Sequence, residues 1–137
     1  MNYIDIVKAQ LRVDEGVRRL PYKDTVGKLT IGVGRNLDDR GLRDDEIDLM
    51  LVNDIQEAED TARVLVPNFN NLSDARKAVV VNMAFNLGQT RLAGFSKMLT
   101  AINEGRYEDA SREMLDSMWA SQVGARAPRL SEQMRNG

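Results

Sequence analysis

The chain predicts an α+β fold that is mainly α, and three observations carry that expectation. Helical periodicity recurs along most of the 137 residues, at 3–14, 44–66, 75–87 and in shorter pieces beyond. A single extended stretch, 18–37, interrupts it early. That stretch is marked by Pro21, by the turn residues Asp24-Thr25-Val26-Gly27 and by β-branched Thr30, Ile31 and Val33. No internal repeat, linker or low-complexity segment divides the chain, which suits one domain or two small lobes sharing a core.

The elements follow in order. Ile4, Val7 and Leu11 share one helical face over residues 3–14, with Lys8 and Arg12 opposite. Gly16, just past the end, is a natural left-handed cap and puts Glu15 in the last turn. The negative end of the helix dipole disfavours a charged carboxylate there by ~0.3–1 kcal/mol in exposed settings. That suits a group that has to carry a proton; the plainer reading is a surface glutamate on a fraying end. From Arg18 to Leu37 the period turns extended. Gly32 and Gly34 alternate with β-branched residues, and glycines weaken a strand unless something must approach its backbone. Ligand approach at Gly34 and a bulged small hairpin both fit that pattern.

Residues 35–43 read as a polar loop with room for at most a third short strand. Ile47, Leu51, Ile55, Ala58, Ala62 and Leu65 then recur at steps of three or four. They give a long helix from about 44 to 66, which Asp44 or Asp45 can cap and Pro67 ends. At ~21 residues it would span ~30 Å, enough to connect two lobes. Ser73 caps the next helix, apolar nearly all round from Ala75 to Leu87 and so expected to be buried, with Gly88 as its stop. Asn82 and Asn86 interrupt it and need partners inside the fold or across a cleft. Ser96 is placed as the cap of a short helix ending at Gly105. Tyr107 to Asp116 reads as another helix, Met118, Trp119 and Val123 as a further turn, and the last helix begins near Pro128.

Composition narrows the chemistry. The chain contains neither cysteine nor histidine, which removes disulfides, thiol and Ser-His-Asp catalysis, and zinc held by thiolate or imidazole. Proton chemistry must then rest on Asp, Glu, Lys or Tyr, and neither a metal nor a cofactor is expected. The net charge of −2 is uneven, with eight acidic groups against Arg43 and Arg63 over residues 41–63. Such an acidic face argues against a nucleic-acid partner. No apolar run approaches the ~18 residues of a membrane helix. The N-terminal run is amphipathic and carries Asp5, unlike a signal peptide or an anchor, so synthesis in a cytoplasm, without membrane insertion, is expected.

The residues that carry chemistry cluster between Asp14 and Gly34. Glu15 and Asp24 are nine residues apart and Thr30 follows six later. Two acids at a helix–hairpin junction are what hydrolysis of a glycosidic bond requires. Around them stand Asp14-Glu15-Gly16, Arg19-Leu20, Tyr22, Asp24, Gly27, Thr30-Ile31-Gly32 and Gly34. Downstream come Asn82-Met83-Ala84-Phe85-Asn86-Leu87-Gly88, Ala93-Gly94-Phe95, Trp119 and Arg126-Ala127. In order and spacing these segments closely resemble the T-even phage lysozyme family, over nearly the whole chain.

The resemblance implies a single lysozyme-like catalytic domain, 1–137, with a two-lobed fold. A small N-terminal β-hairpin lobe would cover about 14–45, a connecting helix about 44–66, and a C-terminal helical lobe about 67–137 plus the helix 3–14. It implies a phage endolysin that cleaves the β-1,4 bond between N-acetylmuramic acid and N-acetylglucosamine in peptidoglycan, with inversion, for host-cell lysis. Glu15 would be the general acid, and Asp24 and Thr30 would orient the attacking water. Arg126 matches an arginine that pairs with the catalytic acid, and Phe85 and Gly34 match positions that meet the substrate. Inversion needs room for water, so the two carboxyls are expected ~6.5–9.5 Å apart. The enzyme would act as a monomer on glycan strands, waiting in the host cytoplasm until a separate protein opens the membrane. A lytic transglycosylase, or a wall-binding module without catalysis, are the rival readings on the same scaffold.

The chain also departs from the family. Arg35 stands where the prototype has a histidine, and can replace a structural ion pair with a permanent charge. Prototype sugar contacts fall on Asn36, Met98 and Glu113, which are changed and are not carried over. The segment between hairpin and long helix is shorter, so the small lobe is trimmed where its third strand would run.

Overall fold

The computed structural model describes residues 2–137; Met1, at the head of the amphipathic N-terminal run, lies outside them. Asn2 starts helix α1 (Tyr3–Glu15), its side chain accepting from the Asp5 amide at 3.1 Å and so satisfying one free donor of the first turn. The helix stops where Gly16 takes φ 76°, which leaves Glu15 as its last residue. None of its side chains is buried.

Strands β1 (Arg18–Lys23), β2 (Leu29–Gly32) and β3 (Arg35–Asn36) follow, antiparallel and in that order. Tyr22 pairs with Thr30 and Lys23 with Leu29, but the register slips between Arg18 and Tyr22. Pro21 sits in that interval and has no amide to give a ladder. The turn expected at 24–27 closes with the Gly27 amide on the Asp24 carbonyl at 3.0 Å. The hairpin is not the whole sheet: Thr30 pairs with Asn36 and Ile31 with Arg35, so a third strand survives trimming as two residues.

The start of α2 (Asp44–Leu65) is set by a different residue from those expected. Asp44 and Asp45 lie inside its first turn, while Glu46 reaches back to the Arg43 amide at 2.8 Å, the return half of a capping box. The same carboxylate takes two bonds from Arg35, at 2.7 and 2.8 Å. Arg35 also donates to the Gly41 carbonyl at 3.2 Å, closing the loop between β3 and α2. These bonds hold the Glu46 carboxyl at about 2, well below its usual 4.5, with the Arg35 pair the larger cause and the Arg43 amide next.

The chain divides into two compact units, Met1–Leu49 and Met50–Gly137, with the boundary inside α2. Among the described residues of the first, Thr30 alone is buried. The second holds the hydrophobic core. After a 3₁₀ turn at Phe69–Asn71 it comprises α3 (Asp74–Ala93), α4 (Ser96–Asn103), α5 (Tyr107–Leu115), α6 (Met118–Val123) and α7 (Arg126–Asn136). Ser73 caps α3, accepting from the Arg76 amide at 3.2 Å. The helix is buried on one side rather than all round. Val79, Val80, Met83, Ala84 and Leu87 face the core, whereas Phe85 is 49% exposed. Gly88 breaks it at φ 76°, ψ 171°, a conformation essentially closed to other residues, and the chain then resumes as a helix to Ala93.

Ser96 is the first residue of α4, not its cap; Phe95 holds the cap position without a side-chain bond and packs edge-on against Trp119, centroids 6.4 Å apart. Trp119 Nε1 in turn donates to Asn86 Oδ1 at 2.9 Å, the internal partner that asparagine needed. Met83, Met98, Met114 and Met134, with Leu92 and Ile102, form the innermost layer, where unbranched thioethers fill irregular gaps. Arg76 ties the ends of α3 and α7 together. Its Nε donates to the Met134 carbonyl at 2.7 Å and its Nη2 to the Arg135 carbonyl at 2.8 Å. Its guanidinium also lies 3.7 Å from the Tyr107 ring centre. Among the described residues, no helix is long and apolar enough to cross a membrane.

Candidate active site

Four of the six residues singled out in the sequence fall in the first unit, and each is placed by a different device. Glu15 is delivered by the end of α1. Its carboxyl lies against the turn between β2 and β3: a Cβ built on Gly34 would stand 2.9 Å from Glu15 Oε2 and 3.1 Å from its Cδ. Gly34 has φ +69°, in the left-handed region that side chains disfavour. The turn thus exposes bare backbone to the acid.

Asp24 and Thr30 grip one residue from both of its ends. Asp24 Oδ1 accepts from the Lys28 amide at 2.8 Å and from the Val26 amide at 3.0 Å. Thr30 Oγ1 donates to the Lys28 carbonyl at 2.9 Å, and the residue is 3% exposed. The two amides fix the Asp24 carboxylate through one oxygen and leave Oδ2 to accept elsewhere. The Thr30 hydroxyl has spent its proton on Lys28, so toward a further partner it can only accept. Lys28 was not a candidate in the sequence; its role rests on backbone atoms, which any residue supplies, and the Asp-x-x-Gly turn was the only hint.

Phe85 and Arg126 belong to the second unit and line one cavity there, of about 620 Å³. Leu51, Ile55, Phe69 and Val81 give it an apolar floor, and Glu59, Arg63 and Lys77 a charged rim. Arg126 is the first residue of α7. Nothing in the residue pattern signals that Phe69 and Val81 meet Phe85 in one concavity, because their spacing reads equally as core. Among the described residues, no three Asp or Glu side chains are grouped to hold a metal ion.

Comparison with known proteins bears on the whole chain. The model of the phage lysozyme family matches residues 12–136. Two proteins of Dictyostelium discoideum, probable T4-type lysozymes 2 and 1, are 25% and 26% identical over 163 aligned residues, covering 98% of this chain and 96% of theirs. That alignment is longer than the chain, so the relatives carry residues it lacks. The pre-baseplate central spike protein Gp5 of Enterobacteria phage T4 is 28% identical over 88% of this chain, which matches 26% of that longer protein.

Proposed function

Because the chain belongs to the phage lysozyme family, and so has a lysozyme-like, peptidoglycan-hydrolysing function, we propose that it cleaves the β-1,4 bond between N-acetylmuramic acid and N-acetylglucosamine with inversion. Glu15 serves as general acid and gives its proton to the glycosidic oxygen as the bond breaks. Asp24 and Thr30 hold the nucleophilic water, which hydrogen-bonds to Asp24 Oδ2 and to the Thr30 hydroxyl oxygen. A water whose two protons are both accepted turns a lone pair toward the anomeric carbon, and Asp24 takes up the proton released by attack. Phe85 offers an apolar face for a sugar ring, and Arg126 brings a cation to the same cavity. The biological setting proposed is lysis of a host cell from within; the spike-protein match favours a second setting, within a virion.

The observation that supports this reading most is the shared grip of Asp24 and Thr30 on Lys28. It binds two proposed water ligands to one turn, in the same unit as Glu15. The test is digestion of purified peptidoglycan by the wild type and by Glu15→Gln, with products separated and their ends identified. Hydrolysis leaves reducing muramic acid ends, first released with inverted configuration, and Glu15→Gln should lose at least ~10²-fold in rate with its fold kept. Anhydro-muramoyl ends would replace hydrolysis by transglycosylation, and release of no products by either protein would leave a wall-binding module.

A further inference from the structure

The geometry points to Gly34 as a positioning residue for the catalytic acid, a role distinct from contact with the sugar. It rests on the reading of Glu15 as general acid. Two independent features meet at this glycine. Its backbone is left-handed, at φ +69°, which lets the turn from β2 into β3 reverse within Val33 and Gly34. Its missing side chain also leaves the space that the Glu15 carboxyl occupies, with Oε2, Cδ and Cγ at 2.9, 3.1 and 3.2 Å from where a Cβ would lie. Of the left-handed glycines, it alone has a side chain pressed so closely against that position among the described residues; Gly16, Gly27, Gly32, Gly88, Gly105 and Gly124 face open space within 4 Å.

Carbon and oxygen do not settle below ~3.5 Å without repulsion. A methyl group at Gly34 would therefore push the carboxyl back by roughly 0.5 Å or more. The Glu15 side chain is flexible and lies at the end of α1, so it can yield; the cost falls on where the proton is held rather than on the fold. Proton transfer to a leaving oxygen depends on that placement, and a displacement near 1 Å can cost ~10²-fold in rate. A glycine contacting sugar would instead show its loss in binding.

The test compares Gly34→Ala with Gly105→Ala. Gly105 has φ +75° and open space around it, so it carries matched backbone strain without a side chain against it. Steady-state hydrolysis of a defined glycan should show kcat down ~10- to 100-fold in Gly34→Ala with KM within about twofold, and both parameters near wild type in Gly105→Ala. A rise in KM with kcat kept would overturn the inference in favour of sugar contact. Equal behaviour of the two alanine variants would also overturn it. A measurement free of activity supports the same decision. The fall in melting temperature caused by Gly34→Ala should be smaller in a Glu15→Asp background, where the crowded atoms are withdrawn; equal falls would refute the contact. If Glu15→Gln is inactive while Gly34→Ala keeps its kcat, this inference alone fails; if Glu15→Gln stays active, the assignment of the acid fails first.

Discussion

Replacing Arg76 by methionine should unfasten α7 and lower stability by about 2–4 kcal/mol. Three contacts vanish while the apolar stem is kept. The bond to the Met134 carbonyl is partly buried, at 2.7 Å, and a hydrogen bond from a charged donor is worth about 1.5–3 kcal/mol. The bond to Arg135 is exposed, so water replaces most of it. Stacking at 3.7 Å over Tyr107 adds about 0.5–1 kcal/mol. For a chain of this length each kcal/mol moves the melting temperature by about 3–5 °C, which gives a fall of roughly 6–20 °C by calorimetry. Amide exchange should quicken first in the last two turns of α7, whose terminal carbonyls lose their donors. Arg76→Lys keeps the charge without the fork and should recover less than half of the loss. A fall below about 2 °C, or full recovery by lysine, would refute this account of the fastening.

The Arg35–Glu46 pair should show itself through acid. A carboxyl lowered from 4.5 to about 2 adds stability that is present in full above 4.5 and is lost as pH falls toward 2. The wild type should therefore melt above Arg35→Met at pH 7 by a margin that shrinks between pH 4.5 and 2; parallel melting curves across that interval would exclude the pair as the source. Ile102→Ala empties the innermost layer, where Ile102 is fully buried. It should cost about 2–5 kcal/mol, read as a lower urea midpoint with an unchanged slope.

The parts of this fold that were legible beforehand are those governed by local chemistry. Gly16 stops α1 after Glu15, Ser73 caps α3, and the Asp24–Gly27 turn closes as its residues require. What escaped the sequence was decided by partners at a distance. Asp44 and Asp45 are better caps than Arg43 by composition, yet Glu46 starts α2 because its carboxylate answers Arg35 and the Arg43 amide together. Ser96 lost the cap position because Phe95, packed on Trp119, occupies it. The same division holds at the candidate site. Its titratable residues were visible as types and spacings, but the roles of Lys28 and Gly34 lie in backbone atoms and in empty space. No residue type announces either.

The distribution of buried side chains has a consequence for how the protein is made. Among the described residues, every buried apolar residue lies at position 58 or later, through to Met134 in α7, which is fully enclosed. Synthesis runs from the N-terminus, so the segment bearing Glu15, Asp24 and Thr30 leaves the ribosome before the core does, with Thr30 alone buried among its described residues. The core cannot close until α7, which supplies Ala127, Leu130 and Met134, has been made. A ribosome stalled anywhere short of α7 therefore yields a chain without a finished core.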